Sequence, residues 1–263
     1  MPVYKTEAIV LRRANLGEAD RIVTLFTREH GRLSVVAKGA RKPKSRFAGR
    51  LELFTHLRAL LAQGRTLDVV SQVEVIDPFP AVRGDLGRMS AASFVAEVTD
   101  RATPEREPQP AIFAALRQVL RVIASGDAEL AGHWYAAQIL SLSGYGPITD
   151  RCVICGRPLR SGAAFSLALG GSLCPADRVR DPEAIPASAV GLAAIGFLRE
   201  MPVAALGRVT LAPKQRAEVG GLLRRYLEYR LEVRLKTTGV AERLASITDR
   251  PKGSQPRRGS GPP

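Results

Sequence analysis

Over about the first 80 residues, apolar and polar positions follow strand spacing; beyond that, apolar positions recur at helical spacing. Val3 to Leu11 is extended and partly alternating, and Gly17-Glu18-Ala19-Asp20 makes a turn before the β-branched run Arg21 to Thr27. His30-Gly31 breaks the pattern and Leu33 to Ala37 resumes it. Leu51 to Ala62 and Leu67 to Val75 supply two further runs around the turn Gln63-Gly64-Arg65. Five short strands punctuated by glycine turns predict a small barrel. An SH3-like barrel would look similar, and the five-strand count favours the partly open OB-fold.

Asp77-Pro78 and Phe79-Pro80 close this region, and the periodicity changes. Ser90 to Arg101, a helix begun by Pro110, and Ala128 to Leu142 are predicted helices, the last stopped by Gly144-Tyr145-Gly146-Pro147. Ala189 to Glu200 and Lys214 to Leu235 resume helical spacing, with Val219, Leu222, Leu223, Tyr226, Leu227 and Leu231 on one stripe. Such stripes are core between packed helices. The predicted class is therefore α+β: an N-terminal OB-fold barrel at 1–80, and a helical C-terminal domain at 81–150 and 186–248. A cysteine-bearing insert interrupts the helices at 151–185. The tail at 249–263 is predicted to be disordered, and its Pro/Gly/Ser run from Arg250 onward has basic and no acidic residues.

Charge narrows the function. The chain has 263 residues, with 39 Lys+Arg against 25 Asp+Glu, a net charge of +14. A protein this basic faces a polyanion, either nucleic acid or an anionic membrane. No stretch approaches the roughly 18 apolar residues of a spanning helix. The opening residues, with Lys5 and Glu7 among the apolar ones, do not resemble a secretory signal. Three cysteines, an odd count, argue against a disulfide framework and for a reducing cytoplasm.

The charge is concentrated. Between Gly31 and Leu51 stand Arg32, Lys38, Arg41, Lys42, Lys44, Arg46 and Arg50, with no Asp or Glu. A small barrel binds single strands on one face and its loops, where cations track phosphates. Seven like charges without a counter-charge repel unless a partner neutralises them. Tyr4, Phe26, Phe47 and Phe54 are assigned to the barrel core, and of these Phe47, inside the stretch, is the one candidate for base stacking. Arg224 and Arg225 on the last helix offer a second basic surface. No helix-turn-helix or RNP-like motif is visible, so binding is expected to be general.

Cys152-Val153-Ile154-Cys155-Gly156 has the form of a metal knuckle, and Cys174 follows after a ribbon-like interval. The position three residues on is Asp177, neither Cys nor His. A carboxylate oxygen ligates zinc, so Cys152, Cys155, Cys174 and Asp177 could close a structural tetrahedral site. A zinc deaminase would need a different order of ligands around its Pro-Cys pair. There is no phosphate-binding loop and no nucleophile elbow. His30, His56 and His133 share no local motif, so no enzyme is expected. An RNA-binding OB protein remains the alternative from these residues, and a metal-assisted nuclease or a ligase a more distant one.

The run EAIVLRRANLGEADRIVTLFTREHGRLSVVAKGARKPKSRFAG resembles the opening of the RecO family of bacterial recombination mediators. The CVICG knuckle and the late segment Tyr226-Leu227-Glu228-Tyr229-Arg230-Leu231 are similar to that family too. Asp177 departs from it, where many zinc-bearing relatives have Cys or His. The resemblance implies binding to single- and double-stranded DNA and annealing of complementary strands. It also implies partnership with RecR, single-strand binding protein (SSB) and the RecA-loading pathway, in a bacterial, nucleoid-associated setting.

Overall fold

Five strands close into a barrel: β1 (Val3–Leu16), β2 (Asp20–Thr27), β3 (Gly31–Ala37), β4 (His56–Ala62) and β5 (Asp68–Asp77), in the order β1-β2-β3-β5-β4. The structure, a computed structural model, describes residues 2–159 and 163–237. The long β1 completes the closure. It pairs antiparallel with β2 from Ala8↔Thr27 to Leu16↔Asp20, and its first half pairs with β4 from Val3↔Ala62 to Ile9↔His56. β3 and β5 meet in parallel at Val35↔Asp68. This is the OB-fold barrel, and the SH3-like alternative is set aside.

Side-chain alternation explains why residues 8–11 are apolar without a break. Ala8 and Val10 point into the barrel with Val23, Leu25, Leu33, Val35, Leu57 and Leu61. Ile9, Leu11 and Phe26 point the other way, into a second core shared with the helices. The predicted strand from Leu51 is shorter than its apolar run. Residues 51–55 turn, Phe54 sits at φ 68°, and β4 starts at His56. The turn sends Leu51 into the barrel core and Phe54 into the helical one.

The helices are α1 (Pro80–Arg83), α2 (Leu86–Ala102), α3 (Pro110–Ser125), α4 (Ala128–Leu142), α5 (Ala189–Glu200) and α6 (Pro213–Leu231). Their starts have local causes. Asp85 accepts from the Arg88 amide at 2.8 Å, so α2 begins before the predicted Ser90. Asp127 accepts from Leu130 N at 3.0 Å and Ser188 Oγ from Gly191 N at 2.9 Å, while proline opens α3 and α6. α6 stops at Leu231, short of the predicted Leu235, because Glu232 turns left-handed at φ 53°. The predicted tail at 249–263 lies outside the described residues.

Between α4 and α5 the insert forms a sheet of β6 (Ala163–Ser166), β7 (Gly171–Leu173) and β8 (Ile185–Ala187), ordered β7-β6-β8. Its small core is Cys152, Ala164, Leu173 and Ala184. Phe165 packs edge-on against Tyr226 of α6, with ring centres 5.2 Å apart.

The segment between α2 and α3 straps across the barrel edge. The Arg106 amide donates to the Arg32 carbonyl at 3.0 Å, and Arg32 bridges Glu105 in parallel. Gly31, at φ 66°, makes room for the strap: a Cβ there would lie 2.1 Å from the Glu107 carbonyl oxygen. Buried polar groups fasten the same seam. Asp68 takes the Tyr4 hydroxyl, the Gly64 amide at 3.1 Å and Arg106 at 3.3 Å. Glu7 meets His56 at 2.7 Å and Arg117 of α3 at 3.5 Å.

Candidate nucleic-acid interface and metal centre

The basic stretch after β3 is a ladder of tight turns. Lys42 N bonds to Gly39 O, Ser45 N to Lys42 O, Ala48 N to Ser45 O and Arg50 N to Phe47 O, at 3.0–3.1 Å. Its base is tied to the β1–β2 turn: the Gly39 amide donates to Asp20 Oδ1 at 2.7 Å, and Arg41 N to Ala19 O at 2.9 Å. Phe47 and Leu51 drop into the barrel core and hold the ladder from below. Phe47 is 4% exposed, so it serves the barrel core and anchors the loop, and it is not a free stacking ring.

Lys38, Arg41, Lys42, Lys44, Arg46 and Arg50 all stand exposed on this ladder. Arg46 lies over the Phe47 ring at 4.9 Å, and Arg41 donates to the Gly17 carbonyl at 2.7 Å. None of the six is paired with a carboxylate among the described residues. The nearby Glu52 is taken by Arg13 at 2.5 Å and Arg21 at 3.9 Å. The field over the ladder is therefore uncompensated and aimed at solvent.

Arg32 differs from the other six. Its guanidinium donates to the Thr103 carbonyl at 3.1 Å and meets Asp100 at 3.4 Å, so it clamps the strap to the barrel. Arg224 and Arg225 also part company. Arg225 is exposed on α6. Arg224 lines a pocket between α2, α4 and α6, beside His133, Phe94 and Leu223. What sequence reasoning missed is the anchoring set: Asp20, Phe47 and Leu51 reach the loop only through the fold.

The second constellation is in the insert. One ligand atom from each of Cys152, Cys155, Cys174 and Asp177 lies within 4.8 Å of every other. Asp177 Oδ2 is 3.2 Å from both the Cys152 and Cys174 sulfurs, and Cys155 and Cys174 are 3.9 Å apart. Two turns present them. Gly156 N bonds to Cys152 O at 2.9 Å, and Arg178 N to Cys174 O at 3.0 Å. Donors on a tetrahedron with arms of about 2.0–2.3 Å stand roughly 3.3–3.8 Å apart, so the set fits a four-coordinate cation of soft character.

The electrostatics suit that use. Burial pushes the Cys152 thiol up, but backbone amides of Cys155, Cys174 and Ile154 outweigh it and hold the thiol below its usual range. Asp177, bonded first by Cys155 and then by Cys174 and Cys152, is held below the usual carboxylate range. The same contact with Asp177 pushes Cys155 up to about 11. Three thiols share one carboxylate, and a bound cation would displace their protons.

Comparison with known proteins gives one answer across the chain. Residues 1–79 match the family model described as Recombination protein O N terminal, and residues 83–239 the one described as Recombination protein O C terminal. A DNA repair protein RecO of Pelotomaculum thermopropionicum is 38% identical over 254 residues, covering 97% of this chain and 98% of its own. One from Roseiflexus sp. is 41% identical over 232 residues, covering 88% and 82%. One from Symbiobacterium thermophilum is 36% identical over 251 residues, covering 94% and 99%. No helix among the described residues is long and apolar enough to cross a membrane.

Proposed function

The chain belongs to the RecO family of DNA repair proteins, and on that premise we propose that it is a recombination mediator acting without covalent chemistry. It binds single- and double-stranded DNA without sequence preference, anneals complementary strands and helps load recombinase onto SSB-coated DNA, with RecR as a further partner. The observation that carries the reading is the exposed ladder of Lys38, Arg41, Lys42, Lys44, Arg46 and Arg50, anchored on its barrel and unpaired with any carboxylate among the described residues.

Two DNA strands repel each other through their phosphates. A rigid cationic ladder lowers that barrier by neutralising one strand's backbone while leaving its base edges free to pair. The backbone hydrogen bonds and the buried Phe47 and Leu51 hold the loop to the barrel, which lowers the cost of ordering it on DNA. The insert would hold zinc through Cys152, Cys155, Cys174 and Asp177, and a bound ion would cross-link the two turns and stabilise a unit with a small core of its own.

The test is annealing of two complementary labelled oligonucleotides, bare and SSB-coated, with no nucleotide present. Wild type should accelerate pairing on both. Replacing Lys38, Arg41, Lys42, Lys44 and Arg46 by Gln should slow it. On a single strand each lost phosphate contact removes about 0.7 from the salt slope, or about 3.5 for five. Unchanged affinity and slope in that variant would overturn the assignment of the ladder.

A further inference from the structure

Five tyrosines are spread through the chain, and three have structural work. Tyr135 and Tyr226 are buried, and Tyr4 is bonded to Asp68. Tyr145 and Tyr229 are 41% and 48% exposed, yet they come together from distant segments. The Arg230 guanidinium carbon lies 5.5 Å from the Tyr145 ring centre and 5.6 Å from that of Tyr229, with Tyr226 beneath at 5.2 Å.

Three elements fix this cluster. Tyr145 is presented by the turn after α4, its amide bonded to Leu140 O at 2.7 Å, and Tyr229 stands in the last turn of α6. The β6–β7 turn closes the third side, where Arg230 donates to the Ala168 carbonyl at 3.0 Å. Gly170 is required there: a Cβ would lie 2.7 Å from the Tyr226 hydroxyl and 2.9 Å from Arg230. Leu169 and Ile148, at 48% and 40% exposure, extend the apolar rim. Arg225 lies one helical turn from Tyr229, exposed. The Glu228 carboxylate accepts from the Leu235 amide at 2.9 Å, and four arginines between 224 and 234 stand against Glu228 and Glu232, so the local balance stays cationic.

We propose that Tyr145, Tyr229 and Arg230 form a second nucleic-acid site on the helical domain, which takes unpaired bases of single-stranded DNA by stacking while Arg225 meets a neighbouring phosphate. Exposed rings and a guanidinium offer flat π surfaces to any base, and the positive charge matches a polyanion better than an apolar protein face. Bases inside a duplex have their faces already covered, so the site discriminates single from double strands. The proposal rests on the DNA-binding reading above and gives the second strand in annealing a place of its own.

The test titrates a labelled oligothymidylate and a matched duplex with full-length protein. The double variant Tyr145→Ala with Tyr229→Ala is compared with Tyr229→Trp and with the five-residue ladder variant. The double alanine variant should lose about tenfold or more in oligothymidylate affinity and keep its duplex affinity, while Tyr229→Trp retains both. Circular dichroism should be unchanged, since both rings are surface groups. Unchanged oligothymidylate affinity, or an equal loss on both substrates, overturns the site. If the ladder variant keeps full affinity while the tyrosine variant loses single-strand binding, the ladder assignment falls and this site stands.

Discussion

Asp177 is the residue at which the insert departs from an all-sulfur ligand set, and its effect is separable. A thiolate binds zinc as a softer, more polarisable donor than a carboxylate oxygen. Asp177→Cys should therefore tighten zinc retention, and Asp177→Ala should weaken it by about 10-fold or more. The measurement is competition of the full chain against a chromophoric chelator, with metal content read directly. Equal retention in all three forms would remove Asp177 from the ligand set. A second residue-scale outcome concerns acid. Burial holds His56 below its usual value despite the Glu7 carboxylate beside it, and burial lowers His133 as well. Both bind protons more readily once unfolded, so their contribution is complete above about pH 6.5 and is lost as pH falls through and below it. Glu7 is also depressed: burial raises it, but His56, Arg117 and Arg28 outweigh that, so its contribution disappears at still lower pH. Melting temperature should fall between about pH 7 and pH 5, and His56→Gln should flatten part of that fall. A variant with the wild-type slope would show that His56 does not carry it.

At the scale of elements, the strap and β3 depend on one position. Gly31 combines a left-handed backbone with no room for a Cβ, which would run into the Glu107 backbone. Gly31→Ala should cost about 1–2 kcal/mol from the backbone alone, with the displaced strap adding to it. Urea unfolding would read the loss, and a midpoint unchanged from wild type would mean the strap is not held there. Helices were the most legible elements. The predicted bounds Ala128 to Leu142 and Ala189 to Glu200 coincide with α4 and α5 because capping residues and breakers flank an apolar stripe. Strand ends were less legible, since Leu51 and Phe54 are apolar for two different cores and the local pattern does not separate them. Arg32 and Phe47 show the same limit in the site. Arg32 belongs to a basic run by sequence, and its partners Asp100 and Thr103 are nearly 70 positions away. Phe47 looks like an exposed aromatic among cations until the turns fold it inward. The four metal-ligand candidates were legible because their spacing is local. The cluster of Tyr145, Tyr229 and Arg230 was not, because three separate segments build it.

For the whole molecule, the barrel and the helices should unfold as one cooperative body. Ile9, Leu11, Phe26 and Phe54 leave the barrel to join the core it shares with the helices, Phe26 meeting Phe113 of α3, and Glu7–Arg117, Arg32–Asp100 and Asp68–Arg106 cross the seam. Unfolding followed by Trp134 fluorescence, which reports the helical core, should coincide with loss of amide protection in β1 and β3. Separate midpoints would show two independent units. Coincident midpoints would mean that the DNA sites proposed on the two halves hold a set separation.

The same outward-facing residues bear on how the chain is made. The ribosome releases β1 to β5 first, and the barrel can close around its own interior while Ile9, Leu11, Phe26 and Phe54 still lack their covering helices. Until α2 and α3 emerge, the nascent chain carries an oily flank beside a strongly basic loop in a cell full of RNA and other polyanions. Strand pairing is comparatively slow and uncovered apolar surface aggregates, so this is the interval in which a holding chaperone would matter most.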